Sequence, residues 1–125
     1  MLISRIDKVT LYVNSQEEAR KFWTEKVGFT VILELPLEPG MTWLEVGPEG
    51  TPFPTSFVLY PKEAMLKQKP ELVAHPSVIL ASEHVDALRQ RLVERGVEAE
   101  PVQMMPWGKT FAFLDQDGNR FMVRG

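Results

Sequence analysis

The feature that most restricts the fold of this chain is that its two halves carry the same order of patterns. Each half begins with a strand pattern, continues with a helical pattern that ends at glycine, and closes with three more strand patterns. The helices match in detail, because an alanine stands nine residues before the final glycine in both, Ala19 before Gly28 and Ala87 before Gly96. The sequence therefore predicts two tandem β-α-β-β-β modules, a repeat too short for a solenoid.

The first module is predicted over residues 1–61. Apolar and polar residues alternate over 8–13, which indicates a strand with one aliphatic face and one mixed face. Ser15 is placed to cap the following helix, with Glu18 as its capping-box partner. Gly28 suits the left-handed residue that ends a helix. Three strands and one turn are then predicted, the strands at 29–35, 41–46 and 56–60 and the turn at 36–40.

The second module is predicted over residues 77–125. An apolar strand at 78–81 precedes Ser82, which is placed to cap a helix that ends at Gly96. The sequence Asp-Gln-Asp-Gly-Asn at 115–119 is a strong turn signal. Three further strands are predicted, at 99–104, 110–114 and 120–123. Residues 62–76, which contain prolines and several lysines, predict a solvated linker with at most one short helical turn.

Composition excludes several classes of protein. The chain has 125 residues, enough for one domain, and carries 14 Lys and Arg against 17 Asp and Glu, which argues against nucleic-acid binding. Zero Cys excludes disulfides and thiolate sites, and His75 and His84 are both predicted to be surface residues. No apolar stretch reaches the roughly 18 residues of a membrane span. Charged residues from Arg5 onward leave no signal-peptide core, so a soluble cytoplasmic domain is expected.

Short motifs occur in order along both modules. They stand at residues 6–13, 22–23, 27–29, 85–88, 95–97, 107–108 and 115–120. In this order and spacing the chain resembles the vicinal-oxygen-chelate superfamily, which includes glyoxalase I, bleomycin-resistance and fosfomycin-resistance proteins and extradiol dioxygenases. The resemblance covers essentially the whole chain and implies an α+β fold. In that fold the two modules form a curled, cup-shaped mixed sheet with the helices outside.

Active members of this superfamily usually hold a divalent metal in the cup, with ligands from the first and last strands of each module. By resemblance, the first-strand positions fall on Lys8 and Ser77, and the last-strand position of the second module falls on Met122. The predicted strand at 56–60 contains no His, Asp or Glu. Because divalent metals of this kind prefer imidazole and carboxylate ligands, no metal and no other cofactor are expected.

The resemblance and the strand alternation together predict a ligand-binding set that lines the cup. Its members are Lys8, Thr10, Tyr12, Trp43, Glu45, Ser77, Trp107, Arg120 and Met122. Lys8 either pairs with an anionic group of the ligand or extends to the rim without a partner. Arg120 either braces Asp115 or Asp117 or binds the ligand. Glu45 either faces solvent or serves as a lone acid or base.

Three functions remain open from the sequence. The first is a metal-free binding protein of the bleomycin-resistance type that sequesters a small, partly aromatic or hydrophobic ligand in a cup completed by homodimerisation. With Lys8 and Arg120 facing the cup, such a ligand is expected to carry one anionic group. The second is a metal-dependent lyase or isomerase of glyoxalase type, or a dioxygenase, with ligands at other positions. The third is a structural module whose cup is filled by its own side chains.

Overall fold

The computed structural model describes residues 2–125. It divides the chain into two compact units, Met1–His75 and Pro76–Gly125. Each unit contains one four-stranded mixed sheet, and the predicted α+β fold of two β-α-β-β-β modules is confirmed. No helix in the described part of the chain is long and apolar enough to cross a membrane.

The first unit follows the predicted order of elements. Its sheet has the order β1-β4-β3-β2, with β1 and β4 parallel and the other neighbours antiparallel. The elements are β1 (Lys8–Val13), α1 (Gln16–Lys21) continued by a π-helical turn (Phe22–Val27), β2 (Thr30–Glu38), β3 (Met41–Gly47), β4 (Ser56–Pro61), α2 (Lys62–Gln68) and a 3₁₀ turn (Pro70–Leu72).

The predicted start and end of the first helix are confirmed. The Ser15 hydroxyl accepts a hydrogen bond from the Glu18 backbone N–H at 3.2 Å. The helix ends at Gly28, whose φ of 96° is a left-handed conformation that glycine adopts without a side-chain clash. The backbone N–H groups of Gly28 and Phe29 both donate to the Trp23 carbonyl, at 3.1 and 2.8 Å. This wide π turn was not predicted, because its apolar spacing also fits an ordinary helix.

The core of the first unit lies between its sheet and the first helix. The aliphatic face of β1 is buried there through Leu11 and Val13. Trp23 is fully buried, with its ring centroid 5.3 Å from that of Phe29 and 5.0 Å from that of Phe57. The helix is therefore attached to the sheet by an aromatic cluster.

Two predictions for the first unit were wrong in extent. β2 continues through Pro36 to Glu38, so the turn predicted at 36–40 is confined to residues 39–40. Pro36 is tolerated because β2 is an edge strand and its register shifts beside this residue. The predicted linker forms α2 and the 3₁₀ turn, since good helix formers between its prolines outweigh them.

The second unit repeats the same topology. Its sheet has the order β5-β8-β7-β6, with β5 and β8 parallel. Phe113 and Phe121 are buried and stack with a centroid distance of 5.8 Å, and Leu92 of the helix is fully buried. The elements are β5 (Ile79–Ala81), α3 (Val85–Glu94), β6 (Gln103–Met105), β7 (Gly108–Leu114) and β8 (Arg120–Arg124).

Local signals in the second unit were partly confirmed. The turn at 115–119 forms as predicted, with the Asp115 carboxylate accepting two backbone N–H groups, each at 2.9 Å. Ser82 is not the helix cap. Its hydroxyl accepts a hydrogen bond from the His84 N–H, and His84 itself is the N-cap of the helix, which begins at Val85. β6 does not begin at residue 99. Pro101, which has no N–H to donate, precedes its first residue, Gln103.

Candidate functional site

One face of the first sheet is turned away from the first helix, and we call it the polar face. In the parallel β1–β4 pair, Lys8 lies beside Ser56 and Tyr12 beside Tyr60, on the side opposite the buried Phe57 that contacts the helix. In β3, Glu45 pairs with Val58 of the same face. The polar face consists of Lys8, Thr10, Tyr12, Trp43, Glu45, Ser56, Val58 and Tyr60.

Glu45 is the centre of a hydrogen-bonded cluster on the polar face. Its side chain is 2% exposed. One carboxylate oxygen, Oε1, accepts from Lys8 Nζ at 2.9 Å and from Ser56 Oγ at 3.1 Å. The other, Oε2, accepts from Trp43 Nε1 at 2.7 Å. Glu45 is therefore neither solvent-facing nor a lone acid or base, the two alternatives predicted from the sequence, because it is buried and bonded to three donors.

The charges in this cluster stabilise each other. Burial raises the pKa of Glu45, but the hydrogen bonds from Trp43, Lys8 and Ser56 outweigh burial and hold that pKa below its usual range. The hydrogen bond to Glu45 raises the pKa of Lys8 above its usual range. Both side chains are therefore charged at neutral pH, and Glu45 is a poor proton acceptor there.

Lys8 and Arg120, the two cations expected to bind an anionic ligand, both have carboxylate partners. Lys8 Nζ lies 2.9 Å from Glu45 and 3.2 Å from Asp7, so the interpretation of Lys8 as a rim lysine without a partner is wrong. In the second unit, Arg120 pairs with Glu100 at 2.8 Å. An anionic ligand would therefore have to compete with these carboxylates for both cations.

Aromatic and aliphatic side chains lie beside the cluster. The rings of Tyr12 and Tyr60 contact edge to face, with centroids 6.1 Å apart. On β2, Leu33 pairs with Glu45 and Leu35 pairs with Trp43, and these leucines are 39% and 51% exposed. The polar face therefore adjoins an accessible apolar surface of the kind that binds planar organic molecules.

The linker helix borders the same face. α2 contacts β1 and β4. Its Gln68 donates from Nε2 to the Tyr60 hydroxyl at 3.3 Å. Ser56 and Tyr60 were not predicted as site residues, although alternation along β4 places them on one face. Sequence alone did not show that this face lies beside Lys8.

The remaining predicted site residues belong to the second unit. Arg120 and Met122 alternate with buried residues of β8, and they lie on the sheet face turned away from the core. Ser77 is exposed and precedes β5. Trp107 is 57% exposed in the turn between β6 and β7. Of the nine predicted residues, the five in the first unit lie together on the polar face.

The residues at the expected metal-ligand positions do not fit a divalent metal. Lys8 presents an ammonium group that is bonded to carboxylates, and Ser77 and Met122 offer a hydroxyl and a thioether. The polar face of β4 contributes Ser56, Val58 and Tyr60. Among residues 2–125, no group of three or more His, Cys, Asp or Glu side chains is arranged to hold a metal ion.

Comparison with known families identifies the fold. A family model described as the Glyoxalase/Bleomycin resistance protein/Dioxygenase superfamily matches residues 5–123. The chain belongs to this superfamily. Within it, the chain is 39% identical over 125 residues to the uncharacterised protein YetH of Bacillus subtilis (strain 168), covering 98% of this chain and 99% of YetH. The resemblance predicted from the short motifs is thereby confirmed.

Two solved structures resemble this chain over nearly its whole length. TnmS3, described as an antibiotic binding protein from Streptomyces sp. CB03234, is 33% identical, with a TM-score of 0.82 and coverage of 99% of this chain and 97% of TnmS3. A superfamily member from Sphaerobacter thermophilus is 29% identical, with a TM-score of 0.83 and coverage of 99% and 98%.

Proposed function

We propose that this superfamily member is a metal-free small-molecule-binding protein that sequesters a partly aromatic or hydrophobic ligand. The observation that carries the proposal is the polar face, where paired charges lie beside partly exposed aromatic and aliphatic side chains. Tyr12 and Trp43 are half-buried, and Leu35 is half exposed. Such a surface binds through stacking and apolar contact, which require neither a metal nor a covalent step.

Similarity to a known binding protein supports the ligand class. TnmS3 is described as an antibiotic binding protein and shares a third of its residues with this chain, 33%. A small organic molecule is therefore the favoured ligand. We also expect the protein to act in the cytoplasm.

The alternative is a metal-dependent lyase or isomerase of glyoxalase type, or a dioxygenase. In such enzymes the metal acts as a Lewis acid, and its ligands are imidazole or carboxylate groups. Here the carboxylate on the polar face, Glu45, already accepts hydrogen bonds from Lys8, Ser56 and Trp43. Recruiting Glu45 to a metal would leave these donors without their acceptor, so the residues favour binding over metal-assisted catalysis.

Metal independence is tested by elemental analysis and ligand-induced thermal shifts. Protein purified without a chelator is expected to hold well under one metal ion per chain, and EDTA is expected to leave its melting temperature unchanged. Planar aromatic compounds should raise that temperature equally with and without EDTA, since ligand at 100 times its Kd adds about 2.7 kcal/mol. Stoichiometric Zn, Ni, Fe or Mn whose removal destabilises the protein would support the enzyme instead.

We also propose that the working form is a twofold homodimer in which a second chain encloses the ligand. β2 is an edge strand, and three of its leucines, Leu33, Leu35 and Leu37, are exposed. A monomer that exposes such a strand is prone to further association. Light scattering at micromolar concentration is expected to give twice the mass of one chain, and Leu35→Lys should shift the mass toward one chain. A wild-type monomer would contradict this prediction.

A further inference from the structure

We infer that the Lys8–Glu45 pair sets the charge preference of the site, so that the polar face selects uncharged aromatic ligands over anionic and cationic ones. This inference rests on the proposed function and adds the ligand's charge. It differs from the expectation of an anionic ligand, which assumed that Lys8 was available. It gives Glu45 a role in specificity that requires no proton transfer.

The charged side chains beside the polar face are arranged in a row. Arg5, Asp7, Lys8 and Glu45 form a chain of ion pairs with successive distances of 3.0, 3.2 and 2.9 Å. Two positive and two negative charges alternate along this row of four side chains, so the row as a whole carries no net charge. A carboxylate that approaches Lys8 must compete with Glu45, and an amine that approaches Glu45 must compete with Lys8.

The four charged side chains differ in burial. Glu45 is 2% exposed, whereas Asp7 and Arg5 are about half exposed, with side-chain exposures of 52% and 47%. The charge on Glu45 is therefore the least screened by solvent and acts most strongly on a ligand at this face. A charged ligand that loses its water here without finding a free partner is disfavoured.

Several hydrogen-bonding atoms of the polar face already have partners within the protein. Trp43 Nε1 and Ser56 Oγ both donate to Glu45. The Tyr60 hydroxyl accepts a hydrogen bond from Gln68. Glu45 thereby holds the indole of Trp43 in place and occupies its N–H group, which leaves the ring surface as the part of Trp43 that a ligand contacts.

The test uses three naphthalene probes that differ in charge: 2-naphthylmethanol, 2-naphthoate and 2-naphthylmethylamine. Wild-type protein, titrated by calorimetry at neutral pH, is expected to bind the alcohol about tenfold more tightly than either ion. Glu45→Gln keeps the size of the side chain and leaves the positive charge of Lys8 without the Glu45 carboxylate. The affinity for naphthoate should therefore rise about tenfold relative to the affinity for the alcohol. Lys8→Met leaves the negative charge of Glu45 without the Lys8 ammonium group, and the affinity for the amine should rise by a similar factor relative to the alcohol.

Matched controls separate local charge from net charge. Glu17 and Lys21 form an exposed pair on the first helix, remote from the polar face. Glu17→Gln and Lys21→Met change the net charge of the protein as the test variants do, and they should leave the probe ratios unchanged. The opposite shifts in Glu45→Gln and Lys8→Met would not arise from a general loss of structure.

The outcomes distinguish the inference from the proposed function. If wild-type protein binds the alcohol but the ratios are the same in Glu45→Gln, Lys8→Met and the controls, the charge inference is overturned and the binding function stands. Preference of the wild-type protein for naphthoate or the amine over the alcohol also overturns the inference. If folded wild-type protein binds none of the three probes, the proposed function fails and the inference fails with it.

Discussion

Trp23→Ala is expected to lower the free energy of unfolding by about 3–5 kcal/mol, the largest effect of any substitution considered for this protein. Trp23 is 0% exposed, and its ring contacts Phe29 and Phe57 across the interface between helix and sheet. Alanine would leave a cavity in the core. The adjoining π turn cannot move in to fill it, because the backbone N–H groups of Gly28 and Phe29 both donate to the carbonyl of residue 23 and hold the turn in place.

Trp107→Ala is the matched control for this substitution. Trp107 is 57% exposed in a two-residue turn, so its loss is expected to change stability by less than about 0.5 kcal/mol. Urea denaturation followed by circular dichroism measures both effects on the same scale. Equal destabilisation by the two alanine variants would contradict the assignment of Trp23 to the core.

Glu45→Ala is expected to lower the free energy of unfolding by about 2–4 kcal/mol, the second largest effect. The loss arises mainly from Ser56 Oγ, which is buried, and from Trp43 Nε1, which is part-buried, because both would lack their acceptor. Lys8 contributes less, because its side chain is 36% exposed and regains contact with water. Glu17→Ala, at an exposed helical position, is the control and should change stability by less than about 0.5 kcal/mol.

The stabilisation by the Glu45 charge should depend on pH in a defined direction. The pKa of Glu45 is lower in the folded protein than its ordinary value, although burial alone would raise it, because the hydrogen bonds from Trp43, Lys8 and Ser56 prevail. This contribution is therefore complete above the ordinary pKa of glutamate and is lost as the pH falls through the lowered value. The stability difference between wild type and Glu45→Gln should shrink steadily as the pH falls below the ordinary pKa of glutamate, 4.5. A constant difference would show that the charge on Glu45 does not stabilise the fold.

Local signals predicted most of the secondary structure. The Ser15 cap, the Gly28 and Gly96 helix ends and the turn at 115–119 depend on a few neighbouring residues, and each forms as predicted. The segment at 62–76 was misjudged because its prolines outweighed the helix formers between them in the prediction. The start of β6 was misjudged because apolar residues from 99 onward resemble a strand, although Pro101 interrupts them.

The site was predicted as a set of residues, but its chemistry was not. Alternation along β1 placed Lys8, Thr10 and Tyr12 on one face, and this is confirmed by their pairing with β4. That Lys8 and Glu45 form an ion pair was not evident, because they are 37 residues apart in sequence. Their contact depends on the register of β1 with β4 and of β4 with β3.

The sequence by itself determined the repeated β-α-β-β-β order, the Ser15 cap, the two glycine helix ends, and the family. These features depend on periodicity and on interactions between residues close in sequence, and both can be identified from the order of residues alone. Only the tertiary structure decided that Lys8 is paired, that Glu45 is buried and charged, and that the polar face carries no free cation among its described residues. The physical reason is that burial and ion pairing arise between strands distant in sequence, whose register the local patterns do not specify.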